Sequence, residues 1–440
     1  MGKISEFIRL NVLLPLAERI KGTKATYWYR QINRMSQWSR DEITQWQNEQ
    51  LRRFVQHAYD HTKYYKNLFA SLGLKPSDIQ SAEDLKKLPI MTKADVRKHY
   101  NEIIPDDIDQ IPHRQDRTGG TTGEPMDYLT DENVWGFVTA SKIFAWEKLG
   151  YRYGDKFVAL GSSSLFRQKP SLTRRIYDWI RQEIPMNAMN LSDELCEKYL
   201  KRIQKENIHY IYGYASSVFL LAKYALDHNL NVTCVKGAFT TSENLTEYYR
   251  TTIQAAFKCQ IMDSYGARDA GITAYEVAKG KYIVSYDVIP EVVDTFDDNE
   301  GTLLSTCVIN NAFPLMRYDF GDCVKIKEVD SIYNAAIFTK ITGRIADVIR
   351  LDNGHTLTGP GFTILINKFV IKAFCIQKIN GHCIKLQIQI DPDKWNDPEE
   401  SRLQAEMNRF AGEGCEAVIE YVDHFEPLKN GKRRYFYNEG

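Results

Sequence analysis

From Asp41 to Phe69, apolar and aromatic side chains recur at helical spacing (Ile43, Trp46, Leu51, Phe54, Val55, Ala58, Tyr59), and Ser39 or Asp41 stands where a cap is needed. This predicts a helical entry region. A further helix is predicted from the capping residue Asp131 to Gly150. Short β-rich runs then alternate with amphipathic helices: Lys156 to Leu160, Asp193 to Lys205, His209 to Tyr212, Ser216 to Asp227, Val235 to Phe239, Leu245 to Lys258 and Gln260 to Ser264. Runs this short, separated by helices, predict a mostly parallel sheet covered on both faces, with ligands in the loops after its strands. Tyr265-Gly266-Ala267-Arg268-Asp269 is expected to be one such loop.

From Lys281 to Lys340 the pattern turns to strands without long helices, which predicts an antiparallel or barrel-like subdomain. After Arg344 a small α+β unit follows: a run Phe369 to Ile379, strands Ile384 to Ile390 and Ala417 to Val422, and a charged helix Glu399 to Phe410. The expected organisation is an α/β chain with a large domain over 1–343 and a small one over 344–440. The large domain divides into a helical entry (1–110), an α/β core (111–280) and a β subdomain (281–343).

Composition changes this picture little. An apolar fraction of 43% and a charged fraction of 26% over 440 residues are ordinary for a soluble globular enzyme. Fifty-seven basic residues balance 57 acidic ones, so no net field gathers nucleic acid. The eight cysteines are scattered, with no metal-binding spacing, and read as buried thiols of a reducing cytoplasm; no structural zinc is expected. Ile8 to Ala17 is apolar apart from Arg9 and Asn11, holds Pro15, and runs into Glu18-Arg19-Ile20-Lys21 without a small-residue cleavage site. It reads as an amphipathic helix resting on the body, with peripheral membrane contact as the other reading.

The candidate chemistry begins at Arg117-Thr118-Gly119-Gly120-Thr121-Thr122-Gly123-Glu124-Pro125, where three glycines and three threonines fall in nine residues. Glycine lets backbone N–H groups approach an anion and threonine adds hydroxyl donors, so the stretch suits polyphosphate; a plain hairpin tip is the alternative. Four further motifs follow in order: Tyr265 to Asp269, Arg317-Tyr318-Asp319-Phe320-Gly321-Asp322, Gly343-Arg344-Ile345-Ala346-Asp347, and Asn430-Gly431-Lys432-Arg433-Arg434.

This ordered set resembles the adenylate-forming enzymes, most closely the phenylacetate-CoA ligase branch with its capsule-cluster proteins. The resemblance spans the chain from the entry helices to the last strand. It implies that ATP binds with its phosphates against Thr118, Gly119, Gly120, Thr121, Thr122 and Gly123, Arg117 adding charge. Asp269 falls where relatives carry an acidic residue for Mg2+, usually glutamate. Tyr265, beside Gly266, either packs under the sheet or stacks on adenine. Asp322 matches the aspartate that holds the ribose and Arg344 the arginine that assists it, while Asp319 reads as part of a charged turn. Lys432 matches a lysine that swings over the site on a mobile small domain to bridge carboxylate and α-phosphate. Ser242 and Glu243, after one predicted strand, and Tyr212 to Ser216, after another, sit where an acyl pocket and the adenine rim would be.

Three positions depart from the family pattern: Glu124 replaces a common lysine, Asp269 is one methylene shorter than glutamate, and Ala346 stands at the hinge. The implied activity is ATP- and Mg2+-dependent activation of a carboxylic acid as an acyl-adenylate, with coenzyme A as the default acceptor. An amine or hydroxyl acceptor in surface-glycan synthesis and a degenerate nucleotide-binding scaffold are the rivals. Oligomeric state and the identity of the acid stay open.

Overall fold

The computed structural model describes residues 3–118, 126–161, 171–188, 191, 193–243, 245–297, 300–327, 334–344, 348–353, 356–358, 366, 369, 371–390, 395–423, 425 and 436–437. The stretch read as helical from Asp41 to Phe69 is two helices of the entry region, Arg40–His61 and Lys63–Leu72. Ser39, not Asp41, makes the cap: its side chain accepts from Glu42 N while Glu42 bonds back to the Ser39 N–H. Thr62 leaves helical geometry, accepts from Tyr65 N, and so ends one helix and starts the next. His57 and His61 face Asp107 (3.2 Å) and Asp106 (2.7 Å), which ties the first helix to the segment that leads into the hairpin described next.

A two-residue strand β1 (Met91–Thr92) precedes that hairpin, β2 (His113–Arg117) and β3 (Asp127–Asp131), which pairs Arg117 with Asp127 and His113 with Asp131. Asp131 ends the hairpin and caps helix Glu132–Glu147: its Oδ1 accepts from Asn133 and Val134 N, and its Oδ2 from Asn311 N. Burial pushes this carboxyl up to about 6. Asn310 adds its Nδ2 donor to the Leu129 carbonyl, so the hairpin is clamped to the body at its base.

The parallel strands are β4 (Phe157–Gly161), β5 (Glu183–Asn187), β6 (Tyr210–Tyr214), β7 (Gly237–Thr241) and the first half of β8 (Gln260–Ala267), side by side in the order β5-β4-β6-β7-β8. Their apolar residues alternate between two covered faces. Val158, Leu160 and Ile211 meet helices Asp193–Lys205, Ala215–Asp227 and Glu247–Phe257, while Phe157, Ala159, Tyr210 and Phe239 meet Trp146. Trp146 stacks on Phe239 at 4.1 Å and 7°, and burying an indole contributes roughly 4–6 kcal/mol. Helix Leu172–Arg181 and strand β5 have no counterpart in the sequence reading.

Beyond β8 the sheet turns antiparallel through β9 (Ile272–Ala278), β10 (Lys281–Val284), β11 (Val288–Asp297), β12 (Glu300–Cys307), β13 (Tyr318–Lys327) and β14 (Ile337–Arg344), ordered β8-β9-β10-β14-β13-β12-β11. The strand-rich segment thus continues the parallel sheet. A short pair, β15 (Val348–Arg350) and β16 (Thr356–Thr358), precedes a four-stranded sheet of β17 (Ile371–Asn380), β18 (Cys383–Ile390), β19 (Glu416–Tyr421) and β20 (Phe436–Tyr437) in the order β19-β18-β17-β20. Helix Asp397–Ala411 closes that core with Leu403, Met407 and Ala411 against Ile376, Ile384, Leu386 and Ile388. No described helix is long and apolar enough to cross a membrane.

Candidate active site

The hairpin β2–β3 holds the entrance to the Gly/Thr stretch. Thr118 N donates to the Met126 carbonyl (2.9 Å) and Met126 N to Thr118 Oγ1 (2.8 Å), so the two flanks are closed on each other. Arg117 grips Asp127 through Nε (2.7 Å) and a second guanidinium nitrogen (3.0 Å), a paired fork on the surface of the hairpin. Gly119, Gly120, Thr121, Thr122, Gly123 and Glu124 lie outside the described residues, as do Ala346 and Lys432.

The expected loop at 265–269 needs correcting. Tyr265, Gly266 and Ala267 are strand: β8 pairs in parallel with β7 up to Ser264, then outruns it and pairs antiparallel with β9, Tyr265 opposite Ala274. Only Arg268 to Gly271 forms the turn, so Asp269 is aimed by two strands. The Tyr318 hydroxyl, itself buried, donates to Asp269 Oδ2 (3.0 Å), and Lys93 Nζ lies 4.0 Å from the same oxygen. Tyr318 also reaches the Met126 sulfur at 3.8 Å, which sets Asp269 at the foot of the Gly/Thr stretch. A half-buried carboxylate with one oxygen oriented by a phenol is a hard-oxygen donor of the kind Mg2+ takes, so Asp269 fits that role.

Gly271 completes the turn at φ +67°, and a Cβ there would sit 2.6 Å from Cys307 Cβ. Gly271→Ala is expected to cost about 1–3 kcal/mol from overpacking and left-handed strain, and to displace Asp269. Chemical denaturation of the two proteins measures it; equal midpoints would contradict the packing.

On the other side of the turn, Arg268 lies over the Trp135 ring at 5.2 Å and Arg114 over the same ring at 5.1 Å. Trp135 is held by its indole N–H, which donates to Thr130 Oγ1 (2.8 Å).

Tyr265 and Asp322, far apart in sequence, meet: the Tyr265 hydroxyl donates to Asp322 Oδ2 at 2.7 Å. The ring of Tyr265 packs edge-on to Phe338 (5.8 Å, 82°), so it is both a packed residue and the group that orients Asp322. Asp322 and Arg344 are register partners across β13 and β14; the Arg344 side chain lies outside the described residues. Asp319 accepts from Gly321 N (2.8 Å), a local turn bond in keeping with its sequence reading. Arg317 is different. It is buried, with Nε on Glu291 (3.1 Å) and a second nitrogen on the Leu88 carbonyl (2.6 Å), a structural tie between β1's approach and β11.

Ser242 leaves β7 at φ 65°, and Glu243 Oε2 accepts from Ser216 N (2.9 Å) at the start of helix Ala215–Asp227. Glu243 therefore links the two segments that follow β6 and β7. Beneath them lies a network that sequence reasoning missed. Asp263 accepts from Thr240 Oγ1 and from the Tyr282 hydroxyl (2.8 Å), and its N–H donates to Glu276, which Arg250 holds through both oxygens (2.7 and 2.8 Å). Burial pushes the Asp263 carboxyl up to about 6. The signal available in sequence was Asp263 inside an apolar strand, a charge that must find partners if the strand is central.

The described residues thus bring together an oriented carboxylate at the foot of a Gly/Thr stretch (Asp269), a second carboxylate fixed by a tyrosine (Asp322), and an aromatic–guanidinium wall at Trp135. Such a set can hold a metal–polyphosphate at one end and a vicinal diol at the other.

No family model matches the chain. Among curated proteins it is 23% identical to "Protein CapK" of Staphylococcus aureus over 99% of this chain and 98% of that one, and 26% identical to a phenylacetate-coenzyme A ligase of Aromatoleum evansii over 71% of this chain and 72% of that one. Among solved structures, 2-hydroxyisobutyryl-CoA ligase in its postadenylation state matches with a TM-score of 0.73 at 15% identity, covering 92% of each chain. With the mixed sheet and the two oriented carboxylates, these relatives and this neighbour make the chain similar over most of its length to the adenylate-forming ligases, in the branch of phenylacetate-CoA ligase and CapK.

Proposed function

We propose that the protein activates a small carboxylic acid with ATP, releasing pyrophosphate and forming an acyl-adenylate, and passes the acyl group to an acceptor, coenzyme A by default. The carrying observation is a pair of carboxylates each oriented by a tyrosine: Asp269 by Tyr318, which also touches Met126 at the foot of the Gly/Thr stretch, and Asp322 by Tyr265. In this reading the backbone N–H groups of Gly119 to Gly123 and the hydroxyls of Thr118, Thr121 and Thr122 hold the phosphates, the Thr118 N–H being taken by the Met126 carbonyl. Asp269 holds Mg2+, which neutralises charge on the phosphate oxygens. Asp322, oriented by Tyr265 and assisted by Arg344, takes the ribose hydroxyls, and Gly266, Ser242 and Glu243 lie along the adenine rim. Lys432 acts from the small domain of 344–440. The substrate carboxylate attacks the α-phosphorus while pyrophosphate leaves; the acceptor then attacks the acyl carbonyl while AMP leaves.

An amine or hydroxyl of a glycan is the second acceptor class. It rests on the resemblance of the motif set to the capsule-cluster proteins. Pyrophosphate release with ATP, Mg2+ and a panel of carboxylic acids tests the first half-reaction. AMP-coupled consumption of coenzyme A tests the second. No release with any acid would leave a nucleotide-binding scaffold.

The nucleotide assignment makes its own prediction. Asp322→Ala removes a charge-assisted contact worth roughly 1.5–3 kcal/mol, so ATP affinity should fall by about one to two decades. Tyr265→Phe removes only the hydroxyl that orients Asp322 and should weaken ATP less. Calorimetric ATP titration decides; unchanged affinity in folded Asp322→Ala protein overturns the ribose role.

A further inference from the structure

Large apolar side chains are left exposed in one concentrated place. The amino-terminal helical segment, Lys3–Lys21, leaves Phe7 (63% exposed), Ile8, Val12 and Leu16 outward, and helix Leu172–Arg181 leaves Leu172 (71% exposed), Ile176 and Trp179 outward at one-face spacing. The opposite faces are core: Leu14, Ala17, Tyr177 and Ile180 pack together with Ile143 and Tyr153. Arg9 joins the two segments, donating to the carbonyls of Trp179 (2.8 Å) and Ile180 (2.9 Å) with its guanidinium 4.9 Å from the Trp179 ring centre. The two apolar stripes therefore lie side by side, anchored from beneath. A soluble chain seldom leaves so many large apolar groups adjacent without a partner for them.

Charge selects the partner. The whole chain is neutral, yet residues 3–24 and 172–181 together carry eight basic residues against three acidic ones, and with Glu132 and Glu183, which pair with Lys24 and with Arg174 and Arg181, an excess of three positive charges remains. Next to the stripes, Glu18, Arg19, Thr23, Lys24, Tyr27 and Glu132 line a polar recess of about 300 Å³, in which Lys24 pairs with Glu132 (2.6 Å) and Tyr27 is half exposed. Apolar side chains outward, cations at their margin and an aromatic hydroxyl at the edge match the layers of a lipid surface: acyl boundary, then anionic headgroups. We propose that this face docks the protein on an anionic membrane surface, with Phe7, Leu16, Leu172 and Trp179 entering the acyl boundary and the exposed Arg19 and Arg175 meeting headgroup phosphates.

Sedimentation with unilamellar vesicles tests this on the full-length, untagged protein. Vesicles containing phosphatidylglycerol should carry the protein down and pure phosphatidylcholine vesicles should not, and added salt should weaken the binding. The double change Leu172→Asp/Trp179→Asp, and separately Leu16→Asp, should lower partitioning about tenfold or more, because each removes apolar insertion and adds a charge repelled by the surface. All of these side chains are exposed, so the thermal midpoint should hold. Absence of vesicle binding, or binding equal in all variants, overturns the proposal. A wild-type dimer in solution that the same variants dissociate, with no vesicle binding, assigns the face to a second copy of the chain instead.

Discussion

Lys432→Ala is expected to suppress acid-dependent ATP–pyrophosphate exchange by a factor of about 10² or more, the range for removal of one electrostatic contact made in the transition state. The lysine follows Asn430-Gly431, a pair suited to a tight turn, in the carboxyl-terminal motif whose family counterpart reaches over the site. An ammonium on a flexible stem meets charge that develops only as the carboxylate attacks phosphorus, so ground-state ATP binding should change little. Acyl transfer from a supplied acyl-adenylate should survive, because adenylation and transfer are proposed to use different poses of the small domain. Loss of both half-reactions would mean that the tail is needed for docking or folding. Loss of neither would return Lys432 to the solvated surface.

Arg250→Met should destabilise the fold by about 3–5 kcal/mol, since it strands a buried carboxylate. Arg250 and Glu276 are only 11% and 3% exposed, and Glu276 also takes the N–H groups of Asp263 and Gly280. Methionine keeps the aliphatic stem, so the loss measures charge compensation and not a cavity. Arg250→Met/Glu276→Gln should recover a large part of it. The neighbouring Asp263 contributes to the pH dependence. Its carboxyl is held at about 6, above the 3.8 of a free aspartate, so the folded chain binds this proton more tightly than the unfolded chain does. That contribution to stability is complete below about pH 4 and is lost as pH rises through about 6. Urea titrations of wild type at pH 5 and pH 7 should show it, and Asp263→Asn should reduce the difference, the rest coming from Asp131 and Asp287, whose carboxyls burial also raises, to about 6 and about 7. A single variant as stable as wild type would mean that Arg250 and Glu276 do not form the buried pair.

Local pattern was enough for the parts of the fold that repeat at short range. The helical spacing from Ile43 to Ala58, the five-residue β runs read at Lys156 to Leu160 and Val235 to Phe239, which form Phe157–Gly161 and Gly237–Thr241, and the change to strands after Lys281 each follow from short-range pattern. The same spacing could not show that Thr62 breaks the entry helix, because a capping threonine and an interior one look alike until the backbone turns. Nor could it show that Tyr265 to Ala267 is strand: that depends on β9 returning to pair with the overhang of β8.

The candidate site divides in the same way. Sequence by itself determined which residue types are available and in what order: the glycines and threonines of 118–123, the acids at 269 and 322, the arginine at 344 and the lysine at 432. Only tertiary structure decided which of them meet. Tyr265 reaches Asp322, Tyr318 reaches Asp269, and Arg250 reaches Glu276 through sheet register, which joins strands distant in the chain. Arg317, in the middle of a motif, turned out to hold β11 from within the core, and Arg9 tied an amino-terminal helix to a helix well over a hundred residues away. Periodicity is a property of neighbours along the chain and is written in sequence. Register and packing are set by competition among all the surfaces that could be buried, and that competition is settled only in the folded molecule.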